Sequence, residues 1–315
     1  MAKRVVLAGG SGFLGRSLAR ELVRRGYAVT ILSRTPRTGG GGIDYLGWDA
    51  ATAGDWSGTL DGAEAVVNLA GRTVNCVHTE ENKRQILESR IASVRALGEA
   101  FARCRQPPAA WVQSASLAIY GNPGDRICAE DAPYADDFSA QVCRQWEATF
   151  EAVTAPATRK VILRIGIVLG RGGGALAPLA NLTRRFLGGT VGSGRQYLSW
   201  LHLADMNEMF LQAIGRPDIA GVYNATGPEP VTNAVFMREL RRAVGRPWVP
   251  PAPEWAVRFG ARWFMRTDAD LALTGRRCVP RRFLDQGFRF QYPALPAALR
   301  EALGLPKTTP TQKNV

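Results

Sequence analysis

A glycine-rich segment near the start of the chain carries a pattern typical of a binding site. The segment reads Gly9-Gly10-Ser11-Gly12-Phe13-Leu14-Gly15 and contains both G-x-G-x-x-G and G-x-x-G-x-x-G spacings. Gly10 permits a tight turn, Gly12 lets the backbone approach a pyrophosphate, and Gly15 lets a helix pack against the preceding strand. Backbone amides at the start of such a helix bind phosphates. The pattern therefore predicts a dinucleotide-binding site at residues 9–15.

A serine and an arginine, Ser33 and Arg34, follow about 20 residues after the glycines, at the end of a second apolar run. In a site selective for NAD, an acidic residue at this position holds both ribose hydroxyls, and its charge would repel a 2′-phosphate. A guanidinium pairs with a phosphate through two hydrogen bonds, and a serine hydroxyl adds a donor. We therefore predict NADP(H) as the cofactor. The alternative is a surface arginine at a strand end.

The elements that position these residues alternate between apolar runs and amphipathic stretches. The apolar runs predict strands at 5–8, 28–32, 43–46, 63–69, 110–113 and 160–164. Apolar residues at helical spacing predict helices at 14–25, 80–104 and 139–153. Strands that alternate with helices in this way predict an α/β fold, a Rossmann-like doubly wound parallel sheet with helices on both faces.

The pattern changes beyond residue 166, where Gly-rich and Pro-rich connections join a few predicted helices. These helices are predicted at 176–186, 204–214, 233–244, 254–264 and 296–303. The change predicts an NADP-binding domain over residues 1–165, whose sheet is completed by later segments, and a smaller, mostly helical lobe over residues 166–304. The polar residues 305–315 are predicted to form a disordered tail.

The composition excludes several classes of protein. The 315 residues are 46% hydrophobic and 21% charged, as in soluble globular proteins, which argues against a disordered or fibrous chain. The net charge is +13, but lysine occurs only at positions 3, 83, 160, 307 and 313, so most of this charge is arginine spread along the chain. We interpret it as solvated faces plus a few phosphate-binding arginines, and we predict no nucleic-acid partner.

The sequence lacks membrane-spanning or signal segments, and it lacks a cysteine pattern typical of metal sites. No run of about eighteen apolar residues occurs, and the first residues lack a signal-peptide pattern, which predicts a cytoplasmic protein without a membrane partner. The five cysteines are an odd number with no C-x-x-C pair, so we predict reduced thiols and no metal site. Cys76 and His78 form a lone C-x-H pair, and we interpret His78 as a loop residue.

Motifs along nearly the whole chain carry a family resemblance. In order they are GGSGFLG, ILSRTP, VVNLAG, SASLAIYG, LRIGIVLGRGGGAL, GSGRQYLSWLHLADM, YNATGPEPVTN and VPRRFLDQGFRFQYP. Together they resemble the epimerase-like atypical extended short-chain dehydrogenase/reductases of the NAD-dependent epimerase/dehydratase superfamily, from residue 5 to about residue 304. Within that group the chain looks like the epimerase family proteins with a short C-terminal helical domain, which here begins near residue 249.

The resemblance implies an extended Rossmann fold with NADP(H) in the cleft, and it assigns further residues to the cofactor. Ser33 and Arg34 would meet the 2′-phosphate. The other implied positions are Leu69 and Ala70 on the adenosine side, Gln85 and Arg90 on the long helix, and Val168 beside the nicotinamide end. The glycine and apolar positions also have a plain packing role, and Arg90 has an alternative as an exposed helix arginine.

The resemblance does not extend to the catalytic pair of the family. Active short-chain dehydrogenases use a Tyr-x-x-x-Lys pair, in which the lysine lowers the pKa of the tyrosine so that the phenol transfers a proton while hydride moves. No such pair occurs here, because no lysine lies between Lys83 and Lys160. The serine of the family has a counterpart in Ser116, four residues before Tyr120.

Two interpretations of Tyr120 stay open. In one, Tyr120 is a substitute proton donor over the nicotinamide and Ser116 holds the substrate oxygen. In the other, Tyr120 is a packing element before Gly121. Without a neighbouring cation the pKa of Tyr120 is expected to stay near ~10, which disfavours proton transfer at neutral pH. We therefore favour the packing role.

The segment 192–205 resembles the stretch that closes the substrate cleft in sugar-nucleotide epimerases, where an arginine meets a diphosphate. The resemblance makes Arg195, His202 and Asp205 candidate substrate-side residues. Two of them have structural alternatives. Asp205 could cap the helix that follows it, and His202 could be a hydrogen-bonded core histidine.

Two functions of different classes follow from these observations. The first is an NADP(H)-dependent oxidoreductase or epimerase-like enzyme acting on a small carbonyl or hydroxyl compound or a nucleotide sugar. The second is a catalytically degenerate NADP(H)-binding regulatory or scaffold protein, which the missing Tyr-x-x-x-Lys pair favours and which the resemblance links to cell division.

Overall fold

The computed structural model of the protein describes residues 2–35 and 37–306. Leu305 lies within the described part, where its amide donates to the Arg300 carbonyl oxygen over 2.9 Å, so the chain is still ordered at the start of the predicted tail. The rest of that tail, residues 307–315, lies outside the described residues. Among the helices described, none combines the length and the apolar character that a membrane span requires.

Strands and α-helices alternate through the first two thirds of the described chain. The strands are β1 Arg4–Ala8, β2 Ala28–Ser33, β3 Ile43–Gly47, β4 Ala65–Asn68, β5 Ala110–Ser116, β6 Ile127–Cys128, β7 Arg159–Ile165, β8 Ile167–Leu169, β9 Tyr197–Leu198, β10 Trp200–His202, β11 Gly221–Ala225, β12 Val231–Thr232 and β13 Arg277–Cys278. The α-helices are α1 Phe13–Arg24, α2 Glu80–Ala102, α3 Phe138–Ala152, α4 Leu176–Arg184, α5 Leu203–Gly215, α6 Asn233–Ala243, α7 Glu254–Gly260, α8 Asp270–Leu273, α9 Arg281–Asp285 and α10 Leu295–Ala302.

Seven of these strands form one parallel sheet, in the order β11-β7-β5-β4-β1-β2-β3. The central strand β1 pairs with β2 on one side and β4 on the other, so that Val6 lies opposite both Thr30 and Val66. The central strand β1 and its neighbour β4 are buried, as the continuous apolar runs predict for strands covered on two faces. The predicted doubly wound parallel sheet is therefore confirmed.

Two apolar cores cover the two faces of the sheet. On one face α1 and α5 contribute Leu18, Leu22, Met209 and Phe210. On the other face α2 and α3 pack around Trp111 of β5, whose ring stacks on Phe101 at 4.5 Å and meets Phe150 edge-on at 4.9 Å. A third core joins α4, α6 and α10 around Trp200 and forms the centre of the smaller lobe. The sheet edge where the carboxyl ends of its strands lie is left for the loops that carry the candidate site.

The seventh strand, β11, comes from the segment assigned to the lobe, in keeping with a sheet that later segments complete, although no strand was predicted at residues 221–225. The sequence did not predict the short strands β6, β8, β9, β10, β12 and β13 or the short helices α8 and α9 either. The helix predicted over 254–264 ends as an α-helix at Gly260 and continues as a π-helical turn over Ala261–Met265, after which Arg266 takes a left-handed conformation with φ 50°. Glycine is among the weakest helix formers, which accounts for the change of winding at residue 260.

Candidate functional site

The glycine loop joins β1 to α1, and each glycine has a different reason to lack a side chain. Gly9 has φ +73°, and a Cβ there would lie 2.7 Å from the Ala70 Cα. A Cβ on Gly15 would overlap the backbone of Gly10, so this residue lets α1 pack against the turn. A Cβ on Gly12 would meet nothing within 4 Å. Gly12 also precedes α1 and provides no side chain to cap it, so the first amides of the helix face an open space that suits an anion.

The end of β2 adds a positive charge beside this loop. The Ser33 hydroxyl donates to the Ser11 hydroxyl over 3.1 Å, which ties the end of β2 to the glycine loop, and it also accepts from the Thr35 amide at 3.3 Å. The neighbouring Arg34 side chain is exposed, and it forms no hydrogen bond or ion pair with any residue that the structure describes. The arrangement leaves a guanidinium free to pair with a phosphate next to the glycine loop.

The loop after β4 is shaped by a buried asparagine that the sequence analysis did not single out. Asn68 is fully buried, and its side-chain oxygen accepts from the Ala70 amide over 3.0 Å. Its amide nitrogen donates to Gln113 at 3.0 Å and to the Ser93 hydroxyl at 3.3 Å. The Leu69 amide donates to the last carbonyl of β1 over 2.8 Å. The signal in the sequence is a polar residue that ends an apolar strand, because a buried side-chain amide needs partners.

The long helix α2 contributes one half-buried cation and one residue bonded within the helix. Arg90 donates to the carbonyl oxygens of Arg72 at 3.1 Å and Ile86 at 2.8 Å, and its guanidinium lies 5.1 Å from the Trp146 ring centroid. Burial lowers the pKa of Arg90. Arg90 is therefore not an exposed helix arginine. Its hydrogen bond to the Arg72 carbonyl oxygen supports the loop after β4. Gln85 hydrogen-bonds Glu81 one turn earlier on the same helix.

The apolar positions that the resemblance assigns to the cofactor are packed into the core beside the glycine loop. Phe13 and Leu14 pack against the core between the sheet and α1. Val168 is buried in β8 opposite Leu201. A second glycine-rich loop, residues 170–174, lies over Phe13, because a Cβ on Gly173 would overlap the phenyl ring. These side chains have no polar group, so they can only shape the cleft.

Ser116 and Tyr120 lie at the end of β5 with very different surroundings. Ser116 is half-buried and caps a short 3₁₀-helix, since its hydroxyl oxygen accepts from the Ala118 amide over 3.1 Å. Tyr120 is fully buried, and its hydroxyl accepts from Arg164 at 2.7 Å and donates to the Asn224 side-chain oxygen at 2.9 Å. Burial raises the pKa of Tyr120 above its ordinary value even though Arg164 opposes this shift. The expectation of an unshifted pKa without a neighbouring cation was wrong on both points.

Arg164 is the centre of a buried polar network that the sequence analysis missed. Its side chain is fully buried in β7 and donates to both carboxylate oxygens of Glu147 on α3, over 2.9 and 2.7 Å. It also donates to the Tyr134 hydroxyl at 2.8 Å. An arginine inside an apolar strand was the available signal, because a buried charge requires a charged or hydrogen-bonding partner. The network fixes β7, α3 and Tyr120 relative to one another.

The helix that would carry a tyrosine–lysine pair is α3, and it presents a thiol to the buried side. Cys143 is buried beside Leu117 and Tyr120. Burial raises the pKa of the Cys143 thiol to about 12, with the nearby Glu147 adding to the shift. The thiol is therefore protonated at neutral pH, and it supplies neither a cation nor a base to Tyr120.

The three candidate substrate-side residues divide into one exposed and two buried. Arg195 is exposed on the loop before β9. His202 caps α5, because its Nδ1 accepts from the Ala204 amide at 3.2 Å, and its Nε2 lies 2.8 Å from a carboxylate oxygen of Glu301. These two bonds define a neutral imidazole that donates from Nε2. Burial lowers the pKa of His202, although Glu301 opposes the shift.

Asp205 does not cap the helix that begins after β10, since His202 does so. Its two carboxylate oxygens accept from the backbone amides of Gln291 at 2.7 Å and Tyr292 at 3.1 Å. The Tyr292 ring lies 3.9 Å from the ring of His202. His202 and Asp205 therefore fasten the C-terminal segment to the start of α5, and Arg195 lies apart from this contact.

Known proteins are similar to this chain over nearly its whole length. The model of the NAD dependent epimerase/dehydratase family matches residues 5–225, and that of a domain of unknown function, DUF1731, matches residues 252–302. The epimerase family protein SDR39U1 of Bos taurus is 37% identical over 305 residues, which cover 95% of this chain and 99% of that protein. The epimerase family protein YfhF of Bacillus subtilis (strain 168) is 33% identical over 307 residues, which cover 96% and 99%.

A solved structure of a similar protein has the same fold as this chain. The crystal structure of human epimerase family protein SDR39U1 (isoform 2) with NADPH has a TM-score of 0.85 and 34% sequence identity, and the match covers 96% of this chain and 99% of that one. The glycine loop, the seven-stranded parallel sheet and the helical region after residue 252 are all within the matched regions. The chain therefore belongs to the NAD-dependent epimerase/dehydratase family.

Proposed function

We propose that the protein binds NADP(H) across the carboxyl ends of β1, β2 and β4. The observation that carries this proposal is the pairing of an open, uncapped helix start at Gly12 with the Arg34 guanidinium, which has no partner among residues 2–35 and 37–306. The amides at the start of α1 would hold the pyrophosphate, and Arg34 with Ser33 would hold the 2′-phosphate. NADPH bound to the SDR39U1 structure supports the same cofactor here.

We further propose that the protein is an oxidoreductase or epimerase-like enzyme that acts on a small carbonyl or hydroxyl compound or a nucleotide sugar. When bound, NADPH would supply a hydride to a carbonyl carbon, and solvent would supply the proton that the carbonyl oxygen takes up. Ser116 is half-buried at the end of β5, and its hydroxyl hydrogen is available to a substrate oxygen because its own oxygen accepts from Ala118. Tyr120 has both hydroxyl positions occupied and a raised pKa, so we assign it a packing role and not proton transfer.

The same observations support a second candidate function, a catalytically degenerate NADP(H)-binding regulatory or scaffold protein. Tyr120 is enclosed by Arg164 and Asn224, and α3 carries the buried Cys143 in place of a cation. Such a protein would bind NADPH without oxidising it. A cytoplasmic location stays a prediction for either function.

Calorimetric titration with NADPH, NADP and NADH tests the cofactor proposal. We expect Arg34→Ala to weaken NADPH and NADP binding by about 1.5–3 kcal/mol, as for the loss of a charged hydrogen bond, and to leave NADH binding nearly unchanged. Arg105→Ala, at another exposed arginine, is the matched control and should change none of the three. If no nicotinamide cofactor binds the unmodified protein, the proposal is wrong and the scaffold function must act without a cofactor.

Incubation of the NADPH complex with a panel of small carbonyl compounds separates the two functions. If the protein is an enzyme, we expect NADPH oxidation with at least one compound. The rate of this oxidation should be lower in Ser116→Ala. NADPH binding without oxidation across the panel supports the regulatory or scaffold function instead.

A further inference from the structure

The C-terminal helical region exposes several large apolar side chains, which together we call the basic aromatic face. Trp248, Trp255 and Trp263 are exposed by 72%, 74% and 66%. Phe259 and Met265 are exposed by 55% and 51%. Single exposed apolar residues are ordinary, but a contiguous patch of large ones on a soluble protein marks an interaction surface.

A second exposed pair lies after α4, in the earlier part of the smaller lobe. Phe186 and Leu187 are exposed by 55% and 66%, just before a segment that runs beside the start of the C-terminal region. The Ala252 amide donates to the Thr190 carbonyl oxygen over 2.8 Å, and the Gly192 amide donates to the Ala252 carbonyl oxygen over 2.9 Å. These bonds join the two segments that carry the exposed side chains, so we include Phe186 and Leu187 in the basic aromatic face.

Arginines are interleaved with the aromatic side chains. Arg258, Arg262 and Arg266 are exposed and recur every four residues, each three or four positions from an exposed tryptophan or phenylalanine. Arg258 pairs with Glu254 at 2.7 Å and with Asp270 at 3.2 Å. Arg262 and Arg266 form no ion pair with any acidic residue in the described part of the chain, so their charges are available to an anionic partner.

The arginines continue around Phe186 and Leu187. Arg184 and Arg185 are exposed immediately before them, and the Arg246 guanidinium lies 4.9 Å from the Phe186 ring centroid. Apolar rings and cationic groups therefore occupy the same surface. A partner must supply apolar contact area and negative charge together.

We propose that the basic aromatic face binds peripherally to the surface of an anionic phospholipid bilayer. Tryptophan and phenylalanine side chains insert at the level of the lipid headgroups, and arginines are attracted to anionic headgroups beside them. Two copies of an arginine-rich face repel each other, which disfavours a second copy of this chain as the partner. The aliphatic side chains Leu187 and Met265 add apolar area that single-stranded nucleic acid, which binds by stacking on aromatic rings, would not use.

This proposal differs from the expectation of no membrane partner, which followed from the lack of an apolar run long enough to span a bilayer. Peripheral binding needs no such run, because a helix with apolar and cationic side chains lies in the plane of the interface. The exposure of Trp255 and Trp263 could not be read from the sequence, where both residues fit an amphipathic helix with its apolar side covered by the lobe.

Co-sedimentation of the full-length protein with phospholipid vesicles tests the proposal. We expect binding to vesicles made of equal parts phosphatidylcholine and phosphatidylglycerol, weaker binding at high salt, and little binding to phosphatidylcholine alone. The double variant Trp255→Ser with Trp263→Ser should lower the vesicle partition coefficient at least about tenfold. Arg262→Gln with Arg266→Gln should lower it by about fivefold for each arginine.

A matched control and the competing partners make the result decisive. Leu46→Ser with Leu284→Ser removes two exposed leucines elsewhere and should leave vesicle binding unchanged. Circular dichroism and NADPH titration check that every variant is folded. The proposal is overturned by equal binding to both vesicle types, by binding to neither, by a tryptophan-dependent oligomer with vesicle binding unaffected, or by retention of single-stranded RNA in place of vesicles.

Discussion

Gly12 and Gly15 lie three residues apart at the start of α1 and lack a side chain for opposite reasons. The position of a Gly12 Cβ is open, whereas a Gly15 Cβ would overlap the Gly10 backbone. The second glycine therefore serves the fold, and we propose that the first serves the ligand. This division can be tested, because one added methyl group should have separate effects on binding and on stability at the two positions.

We expect Gly12→Ala to leave the free energy of unfolding unchanged and to weaken NADPH binding at least about tenfold, because the methyl group enters the space that the pyrophosphate needs. Gly15→Ala should instead lower the free energy of unfolding by about 1–3 kcal/mol through overpacking. Urea unfolding and calorimetric titration measure the two effects. A loss of stability in Gly12→Ala would contradict the assignment.

Tyr120 provides a second prediction for a single residue. Tyr120→Phe leaves the Asn224 side-chain oxygen and one Arg164 nitrogen short of a partner, so the free energy of unfolding should fall by about 1–3 kcal/mol. Any NADPH oxidation found in the carbonyl panel should persist in Tyr120→Phe and fall in Ser116→Ala. Full stability with complete loss of turnover in Tyr120→Phe would instead make Tyr120 the proton donor.

At the scale of elements, β7 and α3 are joined by a buried ion pair rather than by apolar contacts alone. Glu147→Gln removes one charge and leaves the fully buried Arg164 uncompensated, so we expect a loss of about 3–5 kcal/mol in the free energy of unfolding. Urea unfolding measures this loss. Glu88→Gln, which removes one of the two exposed acidic partners of Arg84, should cause no measurable loss. Equal stability of the two variants would contradict a structural role for the network.

The regular elements could be predicted from the sequence because apolar spacing encodes them directly. The glycine loop, β1 and α1 followed from local pattern, as did the long helix α2. The partners of Arg164 and Asn68 could not be predicted, because Glu147 and Gln113 lie in distant parts of the chain. The partner of His202 could not be predicted for the same reason, since Glu301 lies on the last helix. Side-chain type indicated that partners must exist, and only the fold identified them.

At the scale of the whole molecule, the C-terminal segment is held by a histidine that is neutral when folded. Burial lowers the pKa of His202 below its ordinary value of 6.5, against the opposing effects of Glu301 and Asp205, while Arg171 also lowers it. In the unfolded chain His202 binds a proton more readily. The contribution of His202 to stability is therefore present above pH 6.5 and is lost as pH falls toward the folded-state pKa.

As the pH is lowered from about 7.5 to about 5.5, we expect the urea concentration at the unfolding midpoint to decrease. It should decrease less in His202→Gln, which cannot titrate. The unmodified protein, measured over the same pH range, is the control. A midpoint that does not change over this range would show that His202 binds protons equally in the folded and unfolded chain.

The strand β11 pairs with β7 but follows it by more than fifty residues in the sequence, which affects the chain during synthesis. β7 ends at Ile165, but the strand that covers its outer edge begins only at Gly221, after the first part of the smaller lobe. At roughly 5–20 residues per second, a ribosome needs several seconds to supply that strand. During this time β7, with the sequence RKVILRI, presents an unpaired strand edge, which is a template for aggregation. A nascent chain released between these two strands would therefore depend on chaperones to stay soluble.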